Sequence, residues 1–337
     1  MFPQKQKKFE VKMKVYLATL PNDYFGNSSQ SWLSIDVDLI KNYLVDKGFV
    51  VDIVKITDLF NINFDKNDYV FYCSFDNIEI ASYIKDLMYF VAKKVKIVPN
   101  YDLLLCFENK GAQELYKKHY NFGDLKGDYF FDINDFDNNY PKVFKTNSGA
   151  GSTGVYLIKN ESQLLKIKNK FFVPSLKRKL IKIQRKMKLD EEQYKIYDYR
   201  YNKYMPYVIQ DFIPSLDRDY KILIFGSKYY ILTRFVRKND FRASGSGNFK
   251  FIEVSNELLE FAKNCFQHLD VPYASLDIAE KDGKFYLIEF QATNFGPYTL
   301  CESPWYYTFN NCWELIKSKS ELSQSFAESF EWYLNNV

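Results

Sequence analysis

The sequence predicts an α/β chain, with a small parallel sheet in its N-terminal third and α+β structure after it. Three observations carry this reading. Residues 14–107 alternate short apolar strands with helical periods, and residues 141–159 (PKVFKTNSGAGSTGVYLIK) read as strand, glycine-rich turn, strand. Residues 274–291 form a hairpin with an acid inside each otherwise apolar strand.

At 337 residues, with 47% hydrophobic and 26% charged side chains, the composition is that of an ordinary globular protein large enough for two or three lobes. A formal net charge of +4 over this length is weak evidence for any nucleic-acid or membrane role. The five cysteines are scattered, odd in number and without C-x-x-C spacing, which suggests reduced thiols in a cytoplasmic protein. No window approaches the ~18 consecutive apolar residues of a membrane span. Residues 1–12 are basic without the apolar stretch of a signal peptide and are expected to be a flexible extension.

In order, residues 15–20, 50–56, 69–74 and 96–99 read as strands, with helices over 31–47 and 78–91. Such β-α-β repeats predict a parallel sheet covered by helices. The turn after the first strand, residues 21–28, has one glycine, and its place at a strand end suits a substrate loop. A helix from Asn109 to about His119 opens a second lobe, followed by a short strand at 129–131, the central hairpin and a polar helix over 161–170. Residues 174–188 carry seven Lys or Arg. They read either as an anionic-polymer patch or as a solvated helix face with Leu176, Leu180 and Ile183 packed inward, the second being favoured. Residues 190–205 have no clear period. Strands at 207–214, 219–225 and 229–237 lead to the polar loop 239–248 (NDFRASGSGN). A helix over 257–269, the acidic hairpin, and helices over 304–317 and 321–334 complete the chain.

Within the central turn, Ser148, Gly149, Ala150, Gly151, Ser152, Thr153 and Gly154 can bend closely around an anion and aim backbone N–H groups at it. A dinucleotide fingerprint requires a helix after the loop, but a strand follows here. A Walker A loop ends in Gly-Lys-Ser/Thr, whereas Gly154 precedes Val155. A protein kinase needs H-R-D and D-F-G, and neither occurs. Lys145 stands on the strand before the loop. A glycine-rich hairpin without a ligand is the alternative.

Asp277 and Glu289 sit on adjacent strands of the last hairpin, with Gln291 on the same face as Glu289. Two carboxylates and an amide oxygen suit Mg²⁺, a hard cation that shares its shell with water and phosphate. The competing reading pairs each acid with a nearby cation. Arg234, Arg237 and Arg242 carry guanidinium forks suited to carboxylate or phosphate oxygens.

Taken together and in this order, the pieces over residues 110–297 resemble the ATP-grasp superfamily of carboxylate–amine ligases, in particular the branch similar to ribosomal-protein glutamate ligases. The resemblance implies an ATP-grasp fold, with nucleotide held between two α+β lobes. Its divisions would be a pre-ATP-grasp lobe at 13–108, a central lobe at 109–213 and a C-terminal lobe at 214–337. It implies ATP contacts from Lys145, residues 148–154 and, by a looser match, Lys110. Adenine would be read at Gln210, Asp211, Phe212 and Ile213, and ribose would be held by Asp219. Mg²⁺ or Mn²⁺ would be held by Asp277, Glu289 and Gln291. The family ending Glu-x-Asn is replaced by Glu289-Phe290-Gln291, so either Gln291 or Asn294 completes that set. Asp219-Tyr220-Lys221 looks like that branch's Asp-x-Arg with lysine for arginine, and residues 240–247 look like its substrate-side loop. Arg234 would face acyl-phosphate oxygens and Arg242 the incoming carboxylate.

The implied function is ATP-dependent joining of a carboxylate to an amine through an acyl phosphate, ADP-forming, on a small acid or a sugar acid. Surface-polysaccharide or small-peptide synthesis would be the setting, and dimers are common in the family. The alternatives are a member that stops at phosphoryl transfer, a nucleotide-binding protein without turnover, and a binder of anionic polymer through residues 177–188.

Overall fold

The computed structural model describes residues 13–26, 30, 33–149, 151, 153–237 and 240–337, apart from the side chains of residues 199–201. The expected extension 1–12 lies outside them. The chain divides into two compact units. One comprises Met1–Phe107, Arg218–Phe235 and Gly247–Val337; the other comprises Glu108–Asp217 and Val236–Ser246.

The first unit begins with β1 (Lys14–Thr19), α1 (Val37–Asp46), β2 (Val50–Lys55), β3 (Tyr69–Tyr72), α2 (Ile78–Val91), β4 (Lys96–Val98) and α3 (Tyr101–Cys106). The strands form a parallel sheet in the order β2-β1-β3-β4. Near-continuous apolar strands fit a sheet covered on both faces. The helices start on side-chain caps, with Asp36, Asn77 and Asn100 accepting from the backbone N–H three residues on. Thus α1 begins at Val37, six residues after the expected start, because Asp36 is its cap. Helix α3 was not anticipated, its six residues being too few to show a period.

The second unit holds α4 (Lys110–Tyr120), β5 (Gly127–Phe130), β6 (Lys142–Thr146), β7 (Val155–Ile158), α5 (Glu161–Ile167), α6 (Leu176–Lys186), α7 (Glu191–Tyr201) and β8 (Tyr207–Asp211). Its sheet is antiparallel, in the order β5-β8-β6-β7. Phe144, Tyr207, Ile209, Ile158 and Leu164 form its core, with Phe144 stacked 5.1 Å from Tyr207. Helix α7 occupies the stretch without a clear period; its cap is Asp190 and its partner is α6, through Lys182 Nζ to Asp198 Oδ1 at 2.6 Å. Leu176, Leu180 and Ile183, expected to pack inward, are instead 78%, 64% and 59% exposed. Helix α6 meets α7 with its opposite face, where Ile181 and Lys182 are half-buried.

The chain then returns to the first unit with β9 (Arg218–Phe225), β10 (Lys228–Phe235), β11 (Phe249–Lys250), α8 (Asn256–Gln267), β12 (Tyr273–Lys281), β13 (Lys284–Gln291), α9 (Tyr298–Glu302), β14 (Tyr306–Asn310), β15 (Cys312–Ile316) and α10 (Leu322–Asn336). The sheet runs β13-β12-β9-β10-β14-β15, with β11 beside β10. Residues 304–317, expected as a helix, form the β14–β15 hairpin instead. Tyr306-Tyr307-Thr308-Phe309 and Trp313 favour a pleated surface, Asn311 takes a left-handed turn, and β14 extends the sheet from β10. Helix α10 joins both sheets of this unit into one core. Phe330 stacks on Phe71 of β3 at 4.2 Å, and Phe326 meets Tyr273 of β12 at 4.7 Å. Among the described residues, no helix is long and apolar enough to cross a membrane.

Candidate functional site

In the second unit the glycine-rich turn joins β6 to β7, as expected. Its backbone is anchored to the start of α4. Lys110 N donates to Asn147 O at 2.8 Å, Gly111 N to Asn147 Oδ1 at 2.9 Å, and Lys110 Nζ to Gly149 O at 2.5 Å. Gly154, at φ +78°, leaves no room for a side chain, since a Cβ there would collide with Thr146 Oγ1. That hydroxyl closes the turn by donating to Ser148 O at 2.8 Å. Ala150 and Ser152 lie outside the described residues. Lys145 is buried within β6, flanked by Val155 and Val208 on the neighbouring strands.

The loop Val236–Ser246 belongs to this unit. Phe241 meets Phe212 edge-on at 6.1 Å, and Arg237 Nη2 donates to Ser244 O at 3.2 Å and Gly245 O at 2.5 Å. Gly245 faces Gly151 O closely, so two glycine-bearing loops share one corner of the unit. Arg242 holds Asp240 through Nε and Nη2, the shortest contact being 2.7 Å, and reaches Val155 O with Nη1 at 3.5 Å. This hydrogen-bonded pairing holds the Asp240 carboxyl below the usual carboxylate range. Lys238 and Asn239 lie outside the described residues.

At the end of β8, Gln210 is buried and donates through Nε2 to Glu114 Oε1 at 2.9 Å. The same oxygen accepts from Lys117 Nζ at 2.8 Å, and both charged side chains are buried. Gly127 of β5 makes room, because a Cβ there would overlap the Glu114 carboxylate. The sequence reading missed this triad; α4 spacing of 114 and 117 was the available signal. Asp211 is paired with Lys142 Nζ at 2.6 Å, while Phe212 and Ile213 follow the strand half-buried.

In the first unit, strand register gathers the other candidates on one face. Arg234 lies opposite Asp219, Lys221 opposite Asp277, and Asp277 opposite Glu289, with Gln291 two residues on. A bulge after Asp277 absorbs Ile288. Arg234 grips Asp219 with Nε–Oδ1 2.7 Å and Nη2–Oδ2 3.0 Å, and also reaches Asp277 Oδ2 at 3.1 Å. Lys221 Nζ lies 3.2 Å from Asp277 Oδ1 and 3.4 Å from Gln291 Oε1, and Gln291 Nε2 donates to Glu289 Oε1 at 2.9 Å. Asp277 Oδ1, though beside Lys221, is buried without an aligned hydrogen bond. Burial pushes the Asp219 carboxyl up, against the pull of Arg234. Burial acts likewise on Asp277, but the Arg234 and Lys221 cations together outweigh it and hold that carboxyl low. Asn294 lies beyond β13, where it hydrogen-bonds the Tyr24 side chain, lowering a phenol that burial raises to about 12.

Among the described residues no three of His, Cys, Asp or Glu gather as a metal site. The oxygen-only donor set of Asp277, Glu289 and Gln291 is of the kind a hard divalent cation takes. Asp277 itself lies against Arg234 and Lys221, as the competing reading of paired acids expects, and Glu289 accepts from the Gln291 amide.

No protein-family model matches the chain, and no curated protein matches it in sequence. In structure it is similar to a D-cycloserine synthetase, with a TM-score of 0.54 and 10% identity, covering 95% of this chain and 99% of that one. It is also similar to N5-carboxyaminoimidazole synthetase from Staphylococcus aureus, with a TM-score of 0.50 and 11% identity over 96% of this chain and 78% of that one. A D-alanine–D-alanine ligase from Bacillus anthracis complexed with ATP aligns with 97% of this chain and 99% of its own, at 14% identity and a TM-score of 0.49. The first two likenesses show the fold: this is an α/β protein with the ATP-grasp fold.

Proposed function

We propose that the protein is an ATP-dependent ligase that activates a substrate carboxylate as an acyl phosphate and joins it to an amine, forming ADP. The observation that carries this reading is the row Arg234, Asp219, Lys221, Asp277, Glu289 and Gln291 on one face of β10, β9, β12 and β13 in a chain of this fold. ATP would be bound by Lys145, Lys110 and the amides of residues 148–154, with adenine at residues 210–213 and ribose at Asp219. Residues 13–108 and the loop 239–248 would choose the substrates, within the three-part division 13–108, 109–213 and 214–337.

Asp277 and Glu289, with Gln291 or Asn294, would hold Mg²⁺ or Mn²⁺. When bound, that cation supplies charge neutralisation for the phosphates. The chain's own groups do the rest. Buried Lys145 and the loop amides stabilise charge on the transferred group without reorganising, and Arg234 steadies the acyl-phosphate oxygens. A carboxylate oxygen attacks the γ-phosphorus while its bond to the ADP oxygen breaks. The amine nitrogen then attacks the acyl carbon, phosphate leaves with the electron pair, and the nitrogen gives its proton to water. Positioning supplies most of the rate. The substrates would be a small or sugar acid and an amine, and the free cysteines agree with a cytoplasmic setting.

A second reading stops at phosphoryl transfer. It is favoured by Arg242, assigned to the incoming carboxylate, being held by Asp240 instead. ADP release measured over panels of acids and amines separates the two. Release that requires both substrates supports the ligase; release with a single acceptor and a stable phosphorylated product supports the second. Calorimetry of ATP with and without Mg²⁺, on the wild type, Lys145→Ala and Glu289→Ala, tests the nucleotide site. Absence of ATP binding by the wild type would sink both readings.

A further inference from the structure

Helix α6 presents an unusual surface. At about 100° per residue, Leu176, Leu180, Ile183 and Met187 fall within roughly 60° of one another. They form a stripe on the side away from α7, and each is largely exposed, with Met187 at 75%. Residues 174–188 carry seven Lys or Arg and no Asp or Glu. Lys182 is taken by Asp198, and Arg185 lies 5.4 Å from the Tyr197 ring on the α7 side. Lys177, on one edge of the stripe, and Lys179 and Lys186, on the other, are exposed.

We propose that α6 is a membrane-surface anchor that lies flat on anionic lipid, with Leu176, Leu180, Ile183 and Met187 entering the acyl boundary and the flanking lysines at headgroup level. The combination decides the class of partner. A nucleic acid would satisfy the cations but leave the apolar stripe in water, and a neutral apolar surface would leave the charge unused. An anionic bilayer satisfies both at once, because the long lysine stems lie along the apolar boundary while their ammonium groups reach the phosphates. The inference does not rest on the ligase reading.

The test is co-sedimentation of the full chain with vesicles of phosphatidylcholine alone, or of phosphatidylcholine mixed with an equal part of phosphatidylglycerol. Two variants accompany it: Leu180→Asp with Ile183→Asp, and Lys177→Gln with Lys179→Gln and Lys186→Gln. All five positions are exposed, so both variants should keep the wild-type melting temperature. The expected result is binding to the anionic vesicles only, about tenfold weaker in either variant and weakened by roughly 0.5 M salt as screening shortens the reach of the charges. No binding, equal binding to both vesicle types, or binding untouched by the aspartates would overturn the proposal. It also falls if an oligonucleotide binds in place of vesicles, or if the aspartates split a dimer that does not bind vesicles.

Discussion

Arg234 and Asp219 face each other across β10 and β9 as a two-pronged pair, Nε to Oδ1 at 2.7 Å and Nη2 to Oδ2 at 3.0 Å. Because Arg234 also reaches Asp277, one guanidinium serves two buried carboxylates. Replacing it strands both. Arg234→Ala should lower the unfolding free energy by about 3–5 kcal/mol, the usual cost of leaving a buried charge uncompensated. Arg234→Lys should recover part of this, since it restores charge but not the planar fork. Urea denaturation of the three proteins checks the order.

Asp277 should make stability depend on acid in a defined direction. Its folded pKa, about 2, lies below the ordinary carboxylate value, so the folded state binds fewer protons in that window. The stabilisation is therefore complete above the unfolded value near ~4 and lost as pH falls toward the folded one. The stability gap between wild type and Asp277→Asn should shrink from pH ~7 to pH ~3. A gap that widens on acidification would contradict the geometry around Lys221 and Arg234.

Glu114 should matter for stability more than its surface-helix sequence context suggests. Glu114→Ala leaves Lys117 buried without its partner and removes the acceptor of Gln210, a loss of about 3–5 kcal/mol. Glu114→Leu combined with Lys117→Met should cost much less than the sum of the single changes, because no charge is stranded. A double-mutant cycle by thermal unfolding measures this coupling.

Gly154 and Gly151 separate two reasons for glycine. Both take positive φ, but a Cβ at Gly151 meets nothing within 4 Å, whereas one at Gly154 strikes Thr146 Oγ1. Gly151→Ala should cost about 1 kcal/mol from backbone strain alone. Gly154→Ala should cost more and displace the turn, lowering ATP affinity at least about tenfold if that turn cradles phosphate. Calorimetric unfolding and ATP titration of both variants give the comparison.

Cys312 is exposed, whereas Cys73 and Cys106 are buried and their thiols are pushed up to about 12 by burial. Cys312 should react rapidly with a thiol reagent in the native protein, while Cys73 and Cys106 should wait for denaturant.

Much of the fold was written locally. The parallel sheet, α2, the helix starting after Asn109, the glycine turn and the acidic hairpin each declare themselves through a period, a cap or a turn residue within a few positions. The hairpin turn puts the two acids on adjacent strands, but the bulge after Asp277 brings Glu289 opposite it, since the register set by Asp282-Gly283 alone would pair Asp277 with Ile288. Four features depended on distant chain. The stretch 304–317 is a hairpin because β10 offers it an edge, and α10 carries the aromatic side chains that join two sheets into one core. The Glu114–Lys117–Gln210 triad joins residues 96 apart in sequence, and the stripe on α6 is exposed because α7 covers the other face. Sequence by itself determined which residues carry charge, bend the backbone or prefer a strand, because those preferences act over one or two turns of chain. Only the tertiary structure decided which charges neutralise one another and which apolar faces stay in water, because burial and partnership depend on residues far apart in the chain.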